Sequence, residues 1–443
     1  MCSFVITNKD IEDLDFINFY TKLRGPDNTS VIEKNNITFL HNLLSITGDF
    51  TIQPFVEDDI VCLYNGEIYN SSDFGDYKSD GECLIPLYKE HGVNFIKKLD
   101  GEFAVALFDF ANDVVVLSTD IFATKPMWMA KDEGGFCISS YKSNADRLGF
   151  KDVKRLSPNT TLILDTNLKQ IDEYEIYSFS LEQHKKSFDD WNTAFYNSIN
   201  KRCVRNVRES IFIGLSSGYD SGAIASELIN QEVKFSAYTI MGQEDIDTMT
   251  YRRNYLNKNG CKITITDSSS KVQALQHINK YVEEYYYVTY CSKGDYNEYD
   301  FRLHQDNGST GISMICRMAK DDNKKIYLSG QGADEIFSDY DFQGKRIFEH
   351  SNFGGLFPED LTTIFPWPSF YESSQRSYLT KEEYVAGSYG LEARYPFLDK
   401  DVVQEFLWLS ADIKNNNYKS VLHNLMSERD FPFNVGVKTG FVP

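Results

Sequence analysis

Three short stretches hold residues able to do chemistry. The chain opens "MCSF". Loss of one methionine would make Cys2 the N-terminal residue, a thiol that carries its own α-amine. The thiolate is the nucleophilic form, and an α-amine with an ordinary pKa of about 7.7–8.0 can take its proton near neutral pH. A buried small apolar residue is the plainer reading, and position 2 alone does not separate the two. The second stretch, "IFIGLSSGYDSGAIA", leads from an apolar strand through Ser216, Ser217, Gly218, Tyr219, Asp220 and Ser221 into a helix. Small residues let the backbone curl so that N–H groups and a helix N-terminus converge on an anion. The serines add hydroxyl donors, and Asp220 suits such a site once Mg²⁺ lies between acid and anion. The third, "IYLSGQGADEIF", ends a strand at Ser329 and Gly330 and adds Asp334 and Glu335. The plainer readings are a serine-capped strand–helix turn and first-turn acids that complement a helix dipole. No GxxxxGK[ST] occurs, so this is no kinase-type P-loop.

The elements that must position these residues change character along the chain. The first 180 or so residues read as β-rich. "DDIVCLYNGEIYN", "GEFAVALFDF", "GFCISS" and "TLILDT" are short apolar or alternating runs, and "FDFANDVVVL" predicts a hairpin turning at Ala111, Asn112 and Asp113. "GECLIPLYKEHGVNFIKKL" has helical spacing. After a junction at 174–190, strands alternate with helices, which implies a doubly wound parallel sheet. Ligands bind at the carboxyl edge of such a sheet, where the loops at 216–221 and 329–335 would both lie. The polar run 296–311 reads as an exposed loop.

Composition narrows the class. A chain of 443 residues suggests two or three domains. Its net charge of −20 argues against nucleic acid or an anionic membrane as partner. Eight scattered cysteines without a CxxC pair indicate neither a zinc ribbon nor a disulfide framework, so reduced thiols and a cytoplasmic setting are expected. The acidic N-terminus lacks the basic region of a signal peptide, and no apolar run approaches the ~18 residues of a membrane helix.

Taken together the motifs resemble a known family. "SSGYDS" is similar to the SGGxDS loop of ATP-pyrophosphatases, and "LSGQGADEIFSDY" and "GLEARYPFLD" to the synthetase domain of glutamine-dependent asparagine synthetases. "RGPD" (24–27), "LYNGEIYN" (63–70), "SDGE" (79–82) and "LDGEFAVALFD" (99–109) are similar to their class II glutamine amidotransferase domain. The resemblance implies an Ntn-hydrolase-like αββα sandwich over 2–180 and an α/β parallel-sheet synthetase domain over 190–443. In the first, Cys2 would attack the side-chain amide of glutamine. Asn65 and Gly66 would form the oxyanion hole, Glu67 and Asp80 would hold the region of the α-amine, and Leu43, Leu44, Ser45, Ile46 and Thr47 would line the pocket. Ammonia would then reach the second domain, where ATP activates an acceptor carboxylate as an acyl-adenylate. Pyrophosphate would sit in the 216–221 loop, with Mg²⁺ on Asp220 and Asp334. Leu215, Ile240, Ser329 and Gly330 would contact the nucleotide, Gln331 would belong to the catalytic set, and Lys419, or failing it Lys438, would assist adenylation. Glutamine, ATP and the acceptor are the implied small-molecule partners, and the resemblance admits a homodimer.

The sequence departs from that pattern at informative places. "FLHNLLSITG" aligns with HxRLSI, and the arginine that would clamp the glutamine α-carboxylate is Leu43. Leucine cannot supply a bidentate charged pair. Gln331 replaces a usual Glu, so an acceptor other than aspartate stays open. "STDIFATKPMW" carries Thr119 and Ala123 where the family reads RDxxGxKPLY. Two alternatives therefore stand beside the amidotransferase: an ammonia-dependent or amide-cyclising ligase acting on a uronic acid or a secondary metabolite, with an impaired glutaminase domain, and a catalytically silent nucleotide-binding regulator.

Overall fold

The computed structural model describes residues 2–203, 210–242, 244–283, 287–292, 295–300, 303–345 and 351–435. The chain divides into two compact units. The first comprises Met1–Ser178 with the segments Tyr281–Tyr285 and Ala386–Glu392; the remainder forms the second.

Two six-stranded antiparallel sheets build the first unit. One runs in the order Val153–Arg155, Trp128–Asp132, Gly135–Ser139, Ser3–Thr7, Ile37–Leu43, Asn28–Lys34. The other runs Gln170–Glu175, Thr160–Leu164, Val114–Thr119, Gly101–Asp109, Ile60–Ile68, Phe55–Glu57. Side chains alternate between the faces of a strand. Phe4, Ile6 and Phe39 of the first sheet therefore meet Val61, Leu63, Ala104, Ala106 and Leu117 of the second in one core. The opposite face of the second sheet, with Cys62, Tyr64, Val105 and Leu107, packs on the helix Leu84–His91. Val5, Leu40 and Cys137 pack on Ala145 of Lys142–Arg147. The layers are helix, sheet, sheet, helix, as expected of the αββα sandwich. The predicted hairpin forms with Asp109 opposite Val114 and Asp113 in the left-handed region at φ 54°. The expected long helix is shorter, because Gly92 at φ 59° ends it and a 3-10 stretch, Gly92–Lys98, follows.

In the second unit Lys262–Thr266, Ser236–Ile240, Ile211–Gly214 and Ile326–Leu328 lie side by side, all parallel. The intervening helices include Tyr219–Asn230, Ile246–Lys258 and Asn307–Asp321. The described residues of the run 296–311 are not a loop. Asp295–Asp300 pairs with Tyr287–Ser292, and Asp306 caps the helix that starts at Asn307, accepting from Ser309 N at 2.9 Å. Cross-strand bonds and a cap override the poor strand propensity of Asp and Asn, which hid both elements. Among the described residues no helix is long and apolar enough to cross a membrane, and Cys2, Cys62, Cys83, Cys137, Cys203, Cys261 and Cys316 are buried and form no disulfide.

One buried ion cluster ties the second unit together. Asp399 lies 2.5 Å from Lys201 Nζ and 2.9 Å from Arg202 Nη1, and it also caps Lys400–Trp408. Burial alone would raise its carboxyl; the two cations overcome that and hold it at about 2. Because the folded value lies below the unfolded one of about 3.9, its contribution is present above pH 4 and is lost as pH falls through about 2. Asn keeps the cap but strands Arg202, so Asp399→Asn should lower unfolding free energy at pH 7 by about 3 kcal/mol. In denaturant titrations that deficit should shrink as pH falls from about 4 towards 2; a deficit independent of pH would mean the ion cluster is not its source.

Candidate functional site

Cys2 stands one residue before the strand Ser3–Thr7, where Ser3 pairs with Asn42 of Ile37–Leu43. That register sets Cys2 level with Leu43. Arg24, fully buried, donates Nε–H to Cys2 O at 2.9 Å. Cys2 N–H donates to Asn65 Oδ1 at 2.9 Å. Burial pushes the thiol up, Glu392 and Asp80 push the same way, and the Leu44 N–H opposes them.

Asn65 and Gly66 belong to Ile60–Ile68. Asn65 is fully buried, and while its Oδ1 accepts from Cys2, its Nδ2 has no partner among the described residues. Buried donors are nearly always satisfied, so a lone one next to a thiol-bearing residue is poised for an arriving oxygen. Gly66 sits at φ 144°, and a Cβ there would come 2.0 Å from Glu102 O. Only glycine fits this close approach of two strands.

A cleft of about 400 Å³, partly open to solvent, lies over Cys2, Leu43, Leu44, Ser45, Ile46, Thr47, Gly66, Glu67 and Asp80. The structure thus brings the first group of predicted residues to one place. Glu67 accepts from Thr47 Oγ1 at 3.0 Å. Asp80 accepts from Ile68 N at 2.7 Å and from the Tyr64 hydroxyl, which also lies 2.7 Å from Gly66 O. Burial raises the Asp80 carboxyl against those bonds. Asp49, Thr51, Gln53, Tyr64, Ser79 and Glu392 complete the wall, and sequence reasoning assigns none of them to it. Glu392 lies in "GLEARYPFLD", a motif legible as a motif, yet 390 positions from Cys2 nothing local assigns it to this cleft.

The second group gathers at the carboxyl edge of the parallel sheet. Leu215–Gly218 links Ile211–Gly214 to Tyr219–Asn230, and Ile240 ends the neighbouring strand. The loop is held from within: Ser216 N–H bonds Ser221 Oγ at 3.0 Å and Gly218 N–H bonds Ser216 Oγ at 3.1 Å. Ser217 gives both N–H and hydroxyl to the buried Glu244 carboxylate at 2.5 Å. The first-turn N–H groups of the helix have no carbonyl partner within it. Buried Arg252 donates to Gly218 O at 2.9 Å and to Ser216 O, clamping the loop from behind. A Cβ on Gly330 would lie 2.9 Å from Asp220 Cβ, so the two glycine-bearing loops touch. Gln331 donates to Ser329 Oγ through its N–H at 3.1 Å and to Glu382 through its side chain at 3.3 Å.

One cation joins the acids. Lys419, 3% exposed, places Nζ 2.5 Å from Asp220 and 2.9 Å from Asp334. Tyr418 donates to the same Asp334 oxygen at 3.2 Å. Lys419 itself adopts φ 46°, a left-handed conformation a side chain rarely takes. Burial works against its charge, but Asp220 and Asp334 hold it well above the usual lysine range. Lys438 lies outside the described residues. Tyr418, Arg252 and Glu382 were also missed; only Tyr418 had a sequence signal, its position beside Lys419.

A thiol-bearing residue near the start of a two-sheet sandwich, together with a serine–glycine loop over paired acids on a parallel sheet, defines a two-site amidotransferase. Residues 1–145 match the glutamine amidotransferase domain and residues 190–381 match asparagine synthase. The chain belongs to the glutamine-dependent asparagine synthetase family. It is 28% identical over 412 residues to a putative glutamine-hydrolyzing asparagine synthetase of Methanocaldococcus jannaschii, covering 86% of this chain and 70% of the relative. It is 27% identical over 450 residues to the Mus musculus asparagine synthetase, covering 88% and 73%. With asparagine synthetase B of Escherichia coli it shares 25% over 409 residues, covering 85% and 68%.

The close approach at Gly66 yields a direct test. Gly66→Ala should cost about 3 kcal/mol of stability, through left-handed strain and displacement of the Glu102 strand. Unfolding unchanged to within about 0.5 kcal/mol, the scale of ordinary surface changes, would mean the two strands part easily.

Proposed function

We propose that the chain amidates a carboxylate at the expense of ATP, taking nitrogen from the side-chain amide of a glutamine donor. The observation that carries this reading is Asn65, whose Oδ1 holds the Cys2 nitrogen while its buried Nδ2 has no partner among the described residues. In the first unit, Cys2 Sγ attacks the amide carbon, and the α-amine freed by removal of Met1 takes the thiol proton. Asn65 Nδ2 and Gly66 N–H hold the oxyanion. Collapse expels ammonia, which carries off that proton, and water cleaves the thioester to give the γ-carboxylate. Glu67 and Asp80 face the donor's ammonium, and the backbone of 43–47 forms the wall.

In the second unit the acceptor carboxylate attacks the α-phosphorus of ATP and pyrophosphate leaves. Ammonia then attacks the acyl carbon and AMP leaves. Ser216, Ser217, Gly218, Tyr219 and Ser221 would face the pyrophosphate, and Leu215, Ile240, Ser329 and Gly330 the rest of the nucleotide. Asp220 and Asp334, already gathered about one cation, suit Mg²⁺, which when bound supplies charge neutralisation to the phosphates. Lys419 would then turn its ammonium from the acids to the phosphate oxygens. Aspartate is the proposed acceptor, following the names of the relatives, with Gln331 on its side of the loop.

The halves are tested separately. Asn65→Ala should lower kcat for ammonia release by about 10²–10³. Release by the parent should rise with pH through about 7.7–8.0 as the α-amine loses its proton. For the other half, pyrophosphate release with ATP, Mg²⁺, aspartate and ammonium chloride should vanish in Asp220→Asn. Release that survives in that variant would remove the nucleotide from this loop, and an unaltered Asn65→Ala would remove the oxyanion assignment.

A further inference from the structure

The cleft over Cys2 is acidic. Asp49, Glu67, Asp80 and Glu392 line it, and among its described lining residues none is Lys, Arg or His. Leu43, 6% exposed, contributes an apolar wall at the end of its strand, level with Cys2. Glu67 and Asp80 are themselves largely buried, so water screens them poorly. Apart from the α-amine of Cys2, the charged groups of this lining have one polarity: they suit a positive group and oppose a negative one. Free glutamine brings both, an α-ammonium and an α-carboxylate on one carbon. A carboxylate placed a few ångströms from such groups is repelled, on the order of tenfold in binding or more for each close approach. The same molecule with its carboxylate capped keeps the favourable ammonium and loses the repulsion.

We infer that the amide donor is a glutamine whose α-amine is free and whose α-carboxyl is blocked as an amide, as in the first residue of a peptide. This rests on the reading of Cys2 as the nucleophile that attacks the side-chain amide. The covalent step is unchanged: Sγ–C bond formation, C–N cleavage, ammonia leaving with the thiol proton, and water closing the cycle. Only the substituent on the α-carbon differs, so no further reactant is needed.

Four donors test this on the full chain processed to Cys2: L-glutamine, its α-methylamide, glutaminyl-glycine and Nα-acetyl-L-glutamine. Ammonia release is measured after subtraction of the Cys2→Ala background, which removes spontaneous cyclisation. The methylamide should exceed L-glutamine in kcat/KM by about tenfold or more, and the acetyl compound, with a carboxylate and no ammonium, should fall below both. A methylamide preference without glutaminyl-glycine turnover places the donor among small capped glutamines; turnover of both extends it to peptides. L-Glutamine equal to or better than the methylamide overturns the inference. Leu43→Arg should raise L-glutamine turnover and lower that of the methylamide, reversing their order. Calorimetric titration of Cys2→Ala with the same compounds ranks binding without turnover. Should no donor give Cys2-dependent ammonia, the nucleophile reading fails, and the titration still decides this inference: tighter methylamide binding supports it, equal or weaker binding overturns it.

Discussion

The first unit depends on one hydrogen bond, from Cys2 N to Asn65 Oδ1 at 2.9 Å. It fixes Cys2 against the strand Ile60–Ile68 and leaves the other half of the same amide, Nδ2, without a partner among the described residues. Much of the sandwich serves that bond. Pairing of Ser3 with Asn42 sets the depth of Cys2, buried Arg24 holds its carbonyl, and the glycine at 66 lets the Asn65 strand lie against Glu102 closely enough to reach. A slip of one residue in the Ser3–Thr7 strand would turn Phe4 and Ile6 out of the core, so core packing enforces the register that chemistry needs.

A different constraint governs the second unit. Two carboxylates from separate loops converge on one buried ammonium, whose charge would be intolerable there without them. Lys419 reaches both acids from a left-handed backbone, which the flanking Tyr418 and the helix Ser420–Glu428 over-determine. The site is thus organised around a cation before any nucleotide arrives. The loop backbone behaves in the same way: Arg252 and Glu244 satisfy its carbonyls and N–H groups, so its curve does not depend on a bound phosphate.

Local pattern made much of this legible. The hairpin at 111–113, the strand–loop–helix at 211–230 and the glycines at 66, 218 and 330 announce themselves because turns and close approaches demand particular residues at particular spacings. Lys419 was reachable only through resemblance, since a late lysine has no local signature. What sequence hid was tertiary. Glu392, Arg252, Glu382 and Glu244 gain meaning from what lies opposite, and the polar residues of Asp295–Asp300 and the start of Asn307–Asp321 form strand and helix because a partner strand and Asp306 supply bonds that composition does not advertise. Leu43 worked the other way: its departure was visible in sequence, but its consequence emerged only with the acidic wall around it.

The most direct test of the central claim compares the chain beginning at Cys2 with one that keeps an unremovable residue before it. Each is mixed with glutamine α-methylamide and L-glutamine, quenched on the millisecond scale, and its N-terminal peptide weighed by mass spectrometry. A γ-glutamyl thioester on Cys2 in the processed chain alone is the expected result, because only that chain has an α-amine beside the thiol and Asn65. Equal adduct and equal turnover in the extended chain would contradict it, and the amine would have no part in the reaction.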